Sequence, residues 1–362
     1  MSDLRAELRA ELDAALVFEY QPVRVYAKAL FLACATVALF ATMFAVDSWW
    51  AKAPLFVAGV AVSIGLLMLG HDAGHRAVGR SKWTNDALGF FLFTFVAGLP
   101  LVYWKWKHNT MHHSFPNVAG MDPDVDIYPY AMNRSQRVDR GWRAFVQRHQ
   151  SLLFWPIALF ATLTMRWDGI WWHARRRRLA PTLDRTIDLT LVGLHYVVWL
   201  VLPPLLFDVS IAATVAFYLA WATLSGVMIA AIFLPAHMES PLYRSYEENF
   251  VLQLRTTQNL LTNPVFAFLL IGLDHQVEHH LFQRMSHLQM RKAAPIVRAF
   301  CARKGLPYSE RGWGAALVAT TKRFGELPSI DLAERPPRED GVAMSAAPIE
   351  KGRAEFLNEQ TT

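Results

Sequence analysis

The main indication of the fold of this chain is the stretch "VSIAATVAFYLAWATLSGVMIAAIFLPAH", residues 209–237. Its first 28 residues contain no Asp, Glu, Lys or Arg. As an α-helix they would be about 42 Å long at 1.5 Å per residue, whereas the hydrocarbon core of a bilayer is about 30 Å thick. The stretch therefore predicts a membrane-spanning helix whose last turns project beyond the apolar layer and carry His237 above the membrane surface.

Four further runs lack charged residues and are at least 18 residues long, which is enough for a helix to cross a membrane; they cover residues 29–46, 53–70, 87–104 and 189–207. With 53% hydrophobic residues and a mean hydropathy of +0.19, the chain is typical of an integral membrane protein. Long buried helices of a soluble protein are the alternative, but such helices usually carry a polar stripe.

The basic residues are distributed unevenly along the chain, whose formal net charge is +6. They are concentrated in the N-terminal segment, between the second and fourth runs, and after the fifth run, while the links within the first and last pairs of runs contain only Lys52. This positive-inside pattern predicts that the N-terminus and the long polar segments are cytoplasmic. The four arginines at 175–178 are expected to face lipid headgroups, and no nucleic-acid partner is expected.

We expect the chain to have three parts. Residues 1–25 form a cytoplasmic amphipathic segment, and residues 26–310 form the membrane domain. Residues 311–362 form a C-terminal extension that is expected to be disordered from about residue 326, where Pro, Ala and charged residues dominate.

Eight of the 13 histidines fall into three short clusters, each next to an apolar run. On an α-helix, positions i and i+4 lie on one face, while the second histidine of an HH pair points about 100° away. Neutral imidazole is a common ligand of iron, zinc and copper. Together the clusters predict a metal site, although surface or capping histidines are the alternative for any single one. They read "HDAGH" (His71, His75), "HNTMHH" (His108, His112, His113) and "HQVEHH" (His275, His279, His280).

A shared site requires all three clusters to lie on one side of the membrane. Runs one and two form a predicted hairpin, and so do runs four and five, so a single crossing by run three would separate the first two clusters. We therefore expect run three, and the shorter apolar stretch 151–165, to be re-entrant or interfacial. The predicted fold is an all-α integral membrane protein with four transmembrane helices, interfacial helices and a histidine-rich cytoplasmic cap.

Eight imidazoles exceed what one ion binds, so two metal ions are expected. His237 is a ninth candidate ligand, because it is expected at the same level above the membrane as the clusters. The alternative is that its side chain is simply solvated. An all-nitrogen set with open positions suits iron and oxygen chemistry, although copper and zinc are also compatible with these residue types. Asp122 and Asp124 either shape a turn or orient ligands. Carboxylates that can accept the second ring N–H of a ligand are Asp72, Asp122, Asp124, Asp274 and Glu278.

In their order and spacing, "HDAGH", "HNTMHHSFPNVAGMDPD" and "GLDHQVEHHLF" resemble the three histidine boxes of the membrane fatty acid desaturases, over about residues 20 to 310. The resemblance implies a non-haem di-iron centre on the cytoplasmic side of four transmembrane helices. The iron ligands that it implies are His71, His75, His108, His112, His113, His279 and His280, with His237 as a further ligand before the third box.

The third box reads "QVEHH" in frame, with Gln276 where many desaturases have histidine. A QxxHH box resembles the front-end subgroup, whose members insert a double bond between an existing one and the carboxyl end. His275 stands one residue before the usual ligand, and the sequence leaves open whether His275 or Gln276 faces the metal. Asp274 and Gln283 also depart from the family pattern, which often has Asn and Pro there.

The resemblance implies an enzyme that desaturates a fatty acyl lipid with O2 and two electrons. The sequence contains no "HPGG" haem-domain motif, so the electrons are expected from a separate ferredoxin or small haem protein with its reductase. Alternatives are a hydroxylase, or a carotenoid- or sphingolipid-modifying oxygenase, with the same site. A metal transporter is a more distant alternative, because the five runs contain no Asp, Glu, Lys or Arg and their one histidine in mid-run, His195, stands alone.

Overall fold

The computed structural model describes residues 2–245 and 249–333. A parallel two-stranded sheet pairs β1 (Asn259–Leu261) with β2 (Glu310–Gly312). In chain order the helices are α1 (Ser2–Ala14), α2 (Pro22–Ala45), α3 (Trp49–Gly74), α4 (Lys82–Val96), α5 (Leu101–His112), α6 (Gly141–Arg148), α7 (Gln150–Ala158), α8 (Ala161–Arg175), α9 (Thr182–Leu206), α10 (Ile211–Ala236), α11 (Asn249–Thr256), α12 (Pro264–Leu270), α13 (Gln276–Leu281), α14 (His287–Lys304) and α15 (Trp313–Glu326).

Within the described residues, four single helices are long and apolar enough to cross a membrane, namely α2, α3, α9 and α10. This confirms the predicted all-α membrane fold with four spans. The ring of Phe217 in α10 packs edge-on against Phe40 of α2 and Phe56 of α3, with centroids 5.5 and 5.6 Å away. Trp221 Nε1 donates a hydrogen bond to Ser63 Oγ at 3.1 Å, which gives each polar group a partner where water is absent.

The third apolar run is divided between α4 and α5, which meet at an angle of 112°. The break has a physical cause, because Gly98 has a left-handed φ of +70° and Pro100 has no backbone N–H. A Cβ at Gly98 would lie 2.6 Å from His195 Nε2, so only glycine fits there. The bend turns α5 towards the end of α3, which brings the first two histidine clusters together as the shared-site hypothesis requires.

The apolar stretch 151–165 is divided between α7 and α8, and the chain breaks between them at Leu159 and Phe160. Both helices are shorter than the four spans. On α8 the rings of Trp167 and Trp171 are 62% and 41% exposed, which is typical of a helix at the membrane–water interface.

A cap of short helices lies against the ends of the spans. His287, at the start of α14, meets Asp72 near the end of α3, where Nδ1 and Oδ2 are 2.7 Å apart. Helix α1 packs on α14 through its buried residues Leu8 and Leu12, and Arg303 donates to Glu11 at 2.6 Å. The N-terminal amphipathic segment is therefore part of this cap.

The C-terminal extension begins with β2 and α15, which packs against α7. Beyond α15 the chain continues in contact with the cap, because Arg134 N donates to Ile330 O at 2.8 Å and Ala333 N donates to Leu242 O at 2.7 Å. Residues 326–333, the first part of the predicted disordered tail, therefore have defined contacts. The remainder of that tail, from residue 334 onwards, lies outside the described residues.

Candidate metal centre

The end of α3 carries the first histidine cluster. His71 and His75 are buried one helical turn apart, with ring centroids 4.6 Å from each other. A Cβ at Gly74 would lie 2.3 Å from Trp104 Cζ3, so the glycine leaves the space that the indole ring occupies. That ring contacts His71 at 4.9 Å and stacks on His108 at 4.7 Å, and it forms one wall of the site.

The second cluster lies on a π-helical turn, Lys105–His112, at the end of α5. The α-helical geometry that the spacing suggested is wrong here, because His113 N donates to His108 O at 2.9 Å in an i to i+5 bond. In this wider turn the His108 ring contacts both His112 and His113, at 5.1 and 4.5 Å. His108 Nε2 lies 3.2 Å from His71 Nε2 and 3.1 Å from His113 Nε2.

Two members of the third cluster, His279 and His280, lie on the short buried helix α13. The rings of His279 and His280 are nearly perpendicular, at 82°, and therefore face different neighbours. His279 lies 5.0 Å from His71 and 4.7 Å from His75, whereas His280 lies 4.9 Å from His112. Adjacent histidines thus contribute to two separate sets of rings, as the spacing on a helix predicts.

Among the described residues, seven buried histidines form two adjacent groups, and within each group one ring nitrogen of every member lies within 4.8 Å of the others. The ring of His113 lies between the groups, 4.8 Å from His279 and 4.3 Å from His280. The first histidine group is His71, His75, His108 and His279, and the second histidine group is His112, His237 and His280.

His237 follows α10 directly and is buried rather than solvated, with 6% of its surface exposed. Its ring lies 4.8 Å from His112 and 4.7 Å from His280. Asn117 Nδ2 donates to its backbone carbonyl at 3.0 Å and so ties it to the loop after α5. His237 therefore lies at the level of the clusters, as the length of the fifth apolar run predicted.

Each Nδ1 in the second histidine group meets an oxygen that can only accept a hydrogen bond. Each Nδ1 therefore carries the proton, and each Nε2 keeps a free lone pair with which to bind a metal. Sequence reasoning missed two of these acceptors, since both belong to α11, which contains no recognisable motif. The acceptors are Asp122 for His112 at 3.0 Å, the Thr256 carbonyl for His237 at 3.0 Å and Gln253 Oε1 for His280 at 2.7 Å.

The chemistry of the donor set fits metal ions. The Nε2 atoms of His75, His237, His279 and His280 are buried and have no hydrogen-bond partner within the described part of the chain. Burial lowers the pKa of His237 to about 3 and holds the pKa values of His279 and His280 well below their usual value, so these imidazoles are neutral near pH 7. Buried polar atoms in native proteins are rarely left unpaired, and a shared metal ion would satisfy them.

Asp122 and Asp124 both lie beside the histidine groups. Asp122 accepts from His112 Nδ1 and also from the backbone N–H groups of Asn117 and Asp124, at 2.9 Å each, so it both orients a ligand and shapes the turn. Asp124 pairs with Lys107 at 2.6 Å, and its Oδ2 is 3.7 Å from Nδ1 of His112. Although burial opposes it, Lys107 holds the pKa of Asp124 well below its usual value.

The hydrogen bonds of the other predicted carboxylates go to different partners. Asp72 binds His287, and Asp274 accepts from Thr262 Oγ1 at 3.3 Å. Glu278 accepts from Asn259 Nδ2 at 2.8 Å and from Tyr308 OH at 2.9 Å, while Gln276 Nε2 donates to Leu273 O at 3.0 Å. The contact of Asp72 joins α3 to α14, and the others hold α13 and the residues before it in the cap; none of them is to a ring of the two groups.

His275 joins neither histidine group. The i, i+4 spacing pairs it with His279 only if both lie on one helix, but α13 begins at Gln276 and His275 has non-helical backbone angles, φ −107° and ψ 60°. Its side chain is 22% exposed and lies 3.9 Å from Asp274 and 3.8 Å from Glu278.

Residues 47–312 match the model of the family described as fatty acid desaturase. The chain is 28% identical over 312 residues to an acyl-lipid (9-3)-desaturase of Physcomitrium patens, covering 80% of this chain and 57% of that protein. It is 26% identical over 289 residues to an sn-1 linoleoyl-lipid 6-desaturase of Synechocystis, covering 75% and 78%. It is 27% identical over 278 residues to a Δ8-(E)-sphingolipid desaturase of Komagataella phaffii, covering 70% and 50%. The chain therefore spans little more than half of the moss protein and half of the yeast protein.

Proposed function

The chain belongs to the fatty acid desaturase family, and from this premise we propose that it is a membrane enzyme that introduces a C=C double bond into the acyl chain of a lipid. One observation carries the proposal: two adjacent groups of buried histidines with unpaired ring nitrogens lie at the ends of membrane-spanning helices. An acyl chain between the spans would reach this level with its reacting carbons still out of water.

We assign one iron ion to each histidine group. Bound iron would supply the reduction of O2, which takes two hydrogen atoms from adjacent methylene carbons and two electrons and two protons from outside, to give the alkene and two water molecules. The ring nitrogens of the two groups are the protein's contribution to binding these ions. His113, between the groups, is a ligand candidate for either ion.

The surrounding residues keep the site dry and fix the direction of the ligands. The rings of Trp104 and Phe233 cover the first histidine group, at 4.9 and 5.7 Å from His71. Asp122 and Gln253 hold ring N–H groups of the second histidine group, so the rings are oriented before any ion or substrate arrives. A reaction at one particular pair of acyl carbons requires such preorganised ligands.

We propose that the substrate is an acyl lipid and that the new bond lies between an existing double bond and the carboxyl end. Gln276, at the start of the third box, supports a front-end reaction, and the names of the moss and cyanobacterial relatives support an acyl-lipid substrate. The electron donor that we propose is a ferredoxin or a small haem protein with its reductase. The positive-inside charge pattern supports a cytoplasmic N-terminus and a cytoplasmic histidine centre.

Expression of the full chain in a host that lacks the product tests this function, with total lipids analysed by mass spectrometry. We expect acyl chains that have lost two hydrogens. His112→Ala should abolish this product while the protein still inserts into the membrane, whereas His149→Ala, which changes an exposed histidine, should leave it intact. Normal product from His112→Ala would contradict the ligand assignment.

The same lipid profile separates this function from its rivals. A gain of one oxygen would indicate a hydroxylase. A new double bond in the long-chain base of a sphingolipid would favour the activity named for the yeast relative. Tight zinc binding by purified protein without any O2-dependent activity would favour a metal-binding or transport role.

A further inference from the structure

The bend between α4 and α5 leaves backbone groups without helical partners inside the protein. Residues 97–100 are buried, and a helix break frees the last carbonyl groups of one helix and the first N–H groups of the next. At membrane level no water is available to bind such groups, so side chains must do so.

One carboxylate binds the freed N–H groups of α5. Asp188, on α9, accepts from Leu101 N through Oδ1 and from Val102 N through Oδ2, both at 2.9 Å. It also accepts from Thr94 Oγ1 at 2.7 Å and from His173 Nε2 at 2.8 Å. Four donors from three segments of the chain therefore meet at one fully buried side chain.

The carbonyl groups on the other side of the bend are bound as well. Arg166 Nη2 donates to Ala97 O at 2.7 Å, and His195 Nδ1 donates to Phe95 O at 2.9 Å. His195 Nε2 lies 2.9 Å from Tyr218 OH, so this histidine, expected from the sequence to stand alone, has a partner on each side of its ring.

Four of these side chains come from two helices in a regular pattern. Each helix contributes two of them, seven residues apart along the chain. Seven residues make two helical turns, so the two polar groups of a helix lie on one face, towards the bend. We call this set the bend clamp; it consists of Arg166 and His173 on α8, and Asp188 and His195 on α9.

The bend clamp affects the positions of the histidines on α5, because this helix is short. Its first two N–H groups are held by Asp188, while His108 and His112 lie seven and eleven residues after Leu101 on the same helix. A change in the direction of the first turn would therefore move these rings relative to those on α3 and α13. Metal sites tolerate displacements of only a few tenths of an ångström in their ligands.

We infer that Asp188 is a positioning residue of the metal centre: by holding the first turn of α5, it sets where the second histidine cluster stands relative to the other two. A merely structural role would lower the stability of the protein without changing metal binding. The inference rests on the proposed metal centre, and its test must therefore report on the metal itself.

Co(II) is a suitable probe, because its visible absorption reports the number and geometry of its nitrogen ligands. The full chain is purified in lipid nanodiscs, stripped of metal and titrated with Co(II). Asp188→Asn keeps the size of the side chain but replaces one acceptor oxygen with an NH2 group facing a backbone N–H. We expect Co(II) affinity to fall about tenfold or more and the spectrum to change, as for other groups that orient ligands.

Thr162→Val is the matched control. Thr162 lies on α8, is buried, and donates to Ala222 O at 2.7 Å without touching the bend. The variant loses a buried hydrogen bond between helices, and we expect lower thermal stability with an unchanged Co(II) spectrum and affinity.

A second pair of variants leaves the carboxylate in place. His173→Leu removes one donor to Asp188, whereas His173→Gln retains one, so the glutamine variant should recover Co(II) binding that the leucine variant loses. Wild-type Co(II) binding by both Asp188→Asn and His173→Leu would overturn this inference but not the proposed function. An equal loss of Co(II) binding in Thr162→Val would do the same. A wild-type chain that bound no Co(II) would overturn the proposed function and this inference together.

Discussion

His71 Nε2 and His108 Nε2 lie 3.2 Å apart, although 37 residues separate them in the chain. They come from the end of α3 and from the π-helical turn of α5, and both rings pack against Trp104. The 112° bend before α5 makes this contact possible. The candidate metal centre is therefore a property of how the helices are arranged.

Replacement of histidines in the third cluster should distinguish ligands from neighbours. His279→Ala removes a member of the first histidine group, so we expect the protein to lose about one of the two metal ions that we propose, together with all detectable desaturation. His275→Ala, four residues earlier and outside both groups, should retain both ions. Metal content per chain, measured by elemental mass spectrometry on purified protein, checks this. Loss of metal from His275→Ala would show that His275 is a ligand after all.

Asp122→Asn should weaken metal binding by about 10- to 100-fold, because the amide is a poorer acceptor for the His112 N–H than the carboxylate. Titration against a chelator of known affinity measures the change. The control is Asp126→Asn in the same loop, since Asp126 accepts from Gly120 N and Gln136 Nε2, both at 2.7 Å. Equal losses in the two variants would mean that Asp122 acts through the loop alone.

Gln253→Leu should also weaken metal binding, by about tenfold, because His280 loses the oxygen that fixes its protonated nitrogen. Gln253 Nε2 donates to His113 O at 2.7 Å, so this variant loosens two histidines at once. Gln147→Leu is a matched control, since Gln147 is equally buried but bonds to Pro129 and Gln136. The two variants should differ in metal affinity at similar melting temperatures; identical affinities would refute the orienting role.

Gly74→Ala should destabilise the protein by about 1–3 kcal/mol, because the new Cβ would overlap the Trp104 ring. The displaced indole packs on His71 and His108, so metal content should fall as well. A Cβ at Gly193, in α9, meets no atom within 4 Å, and Gly193→Ala should leave stability unchanged or slightly higher. Thermal unfolding in nanodiscs measures both; a Gly74→Ala protein as stable as wild type would contradict the close packing.

Much of the fold could be predicted from local composition. The four spans follow from uninterrupted apolar runs, because a helix in lipid must be apolar over the thickness of the bilayer. The bent third run could be predicted only by requiring that the clusters meet on one side. The side chains of α8 and α9 that bind the backbone groups freed by the bend could not be predicted, because Arg166 and Asp188 lie outside the charge-free runs that defined the expected spans.

The role expected for His275 shows where local reasoning fails. Its spacing from His279 matches one helical turn, yet α13 begins one residue later, where Asn259 Oδ1 accepts from Val277 N at 2.8 Å. Asn259 is 18 residues away in the chain, and no local pattern predicts that it meets the start of α13. The contact of Gln253 could not be predicted locally either, because its Oε1 comes within hydrogen-bonding distance of His280 only when α11 and α13 pack together.

Four apolar helices long enough to cross a membrane and three histidine clusters could be predicted from the sequence, because hydropathy and residue spacing are local properties. How those histidines divide into two groups, with His237 buried among them and His275 outside, became visible in the folded chain. The physical reason is that a metal site depends on distances between ring nitrogens from α3, α5, α10 and α13. Those distances are set by a buried bend and by hydrogen bonds between segments far apart in the chain.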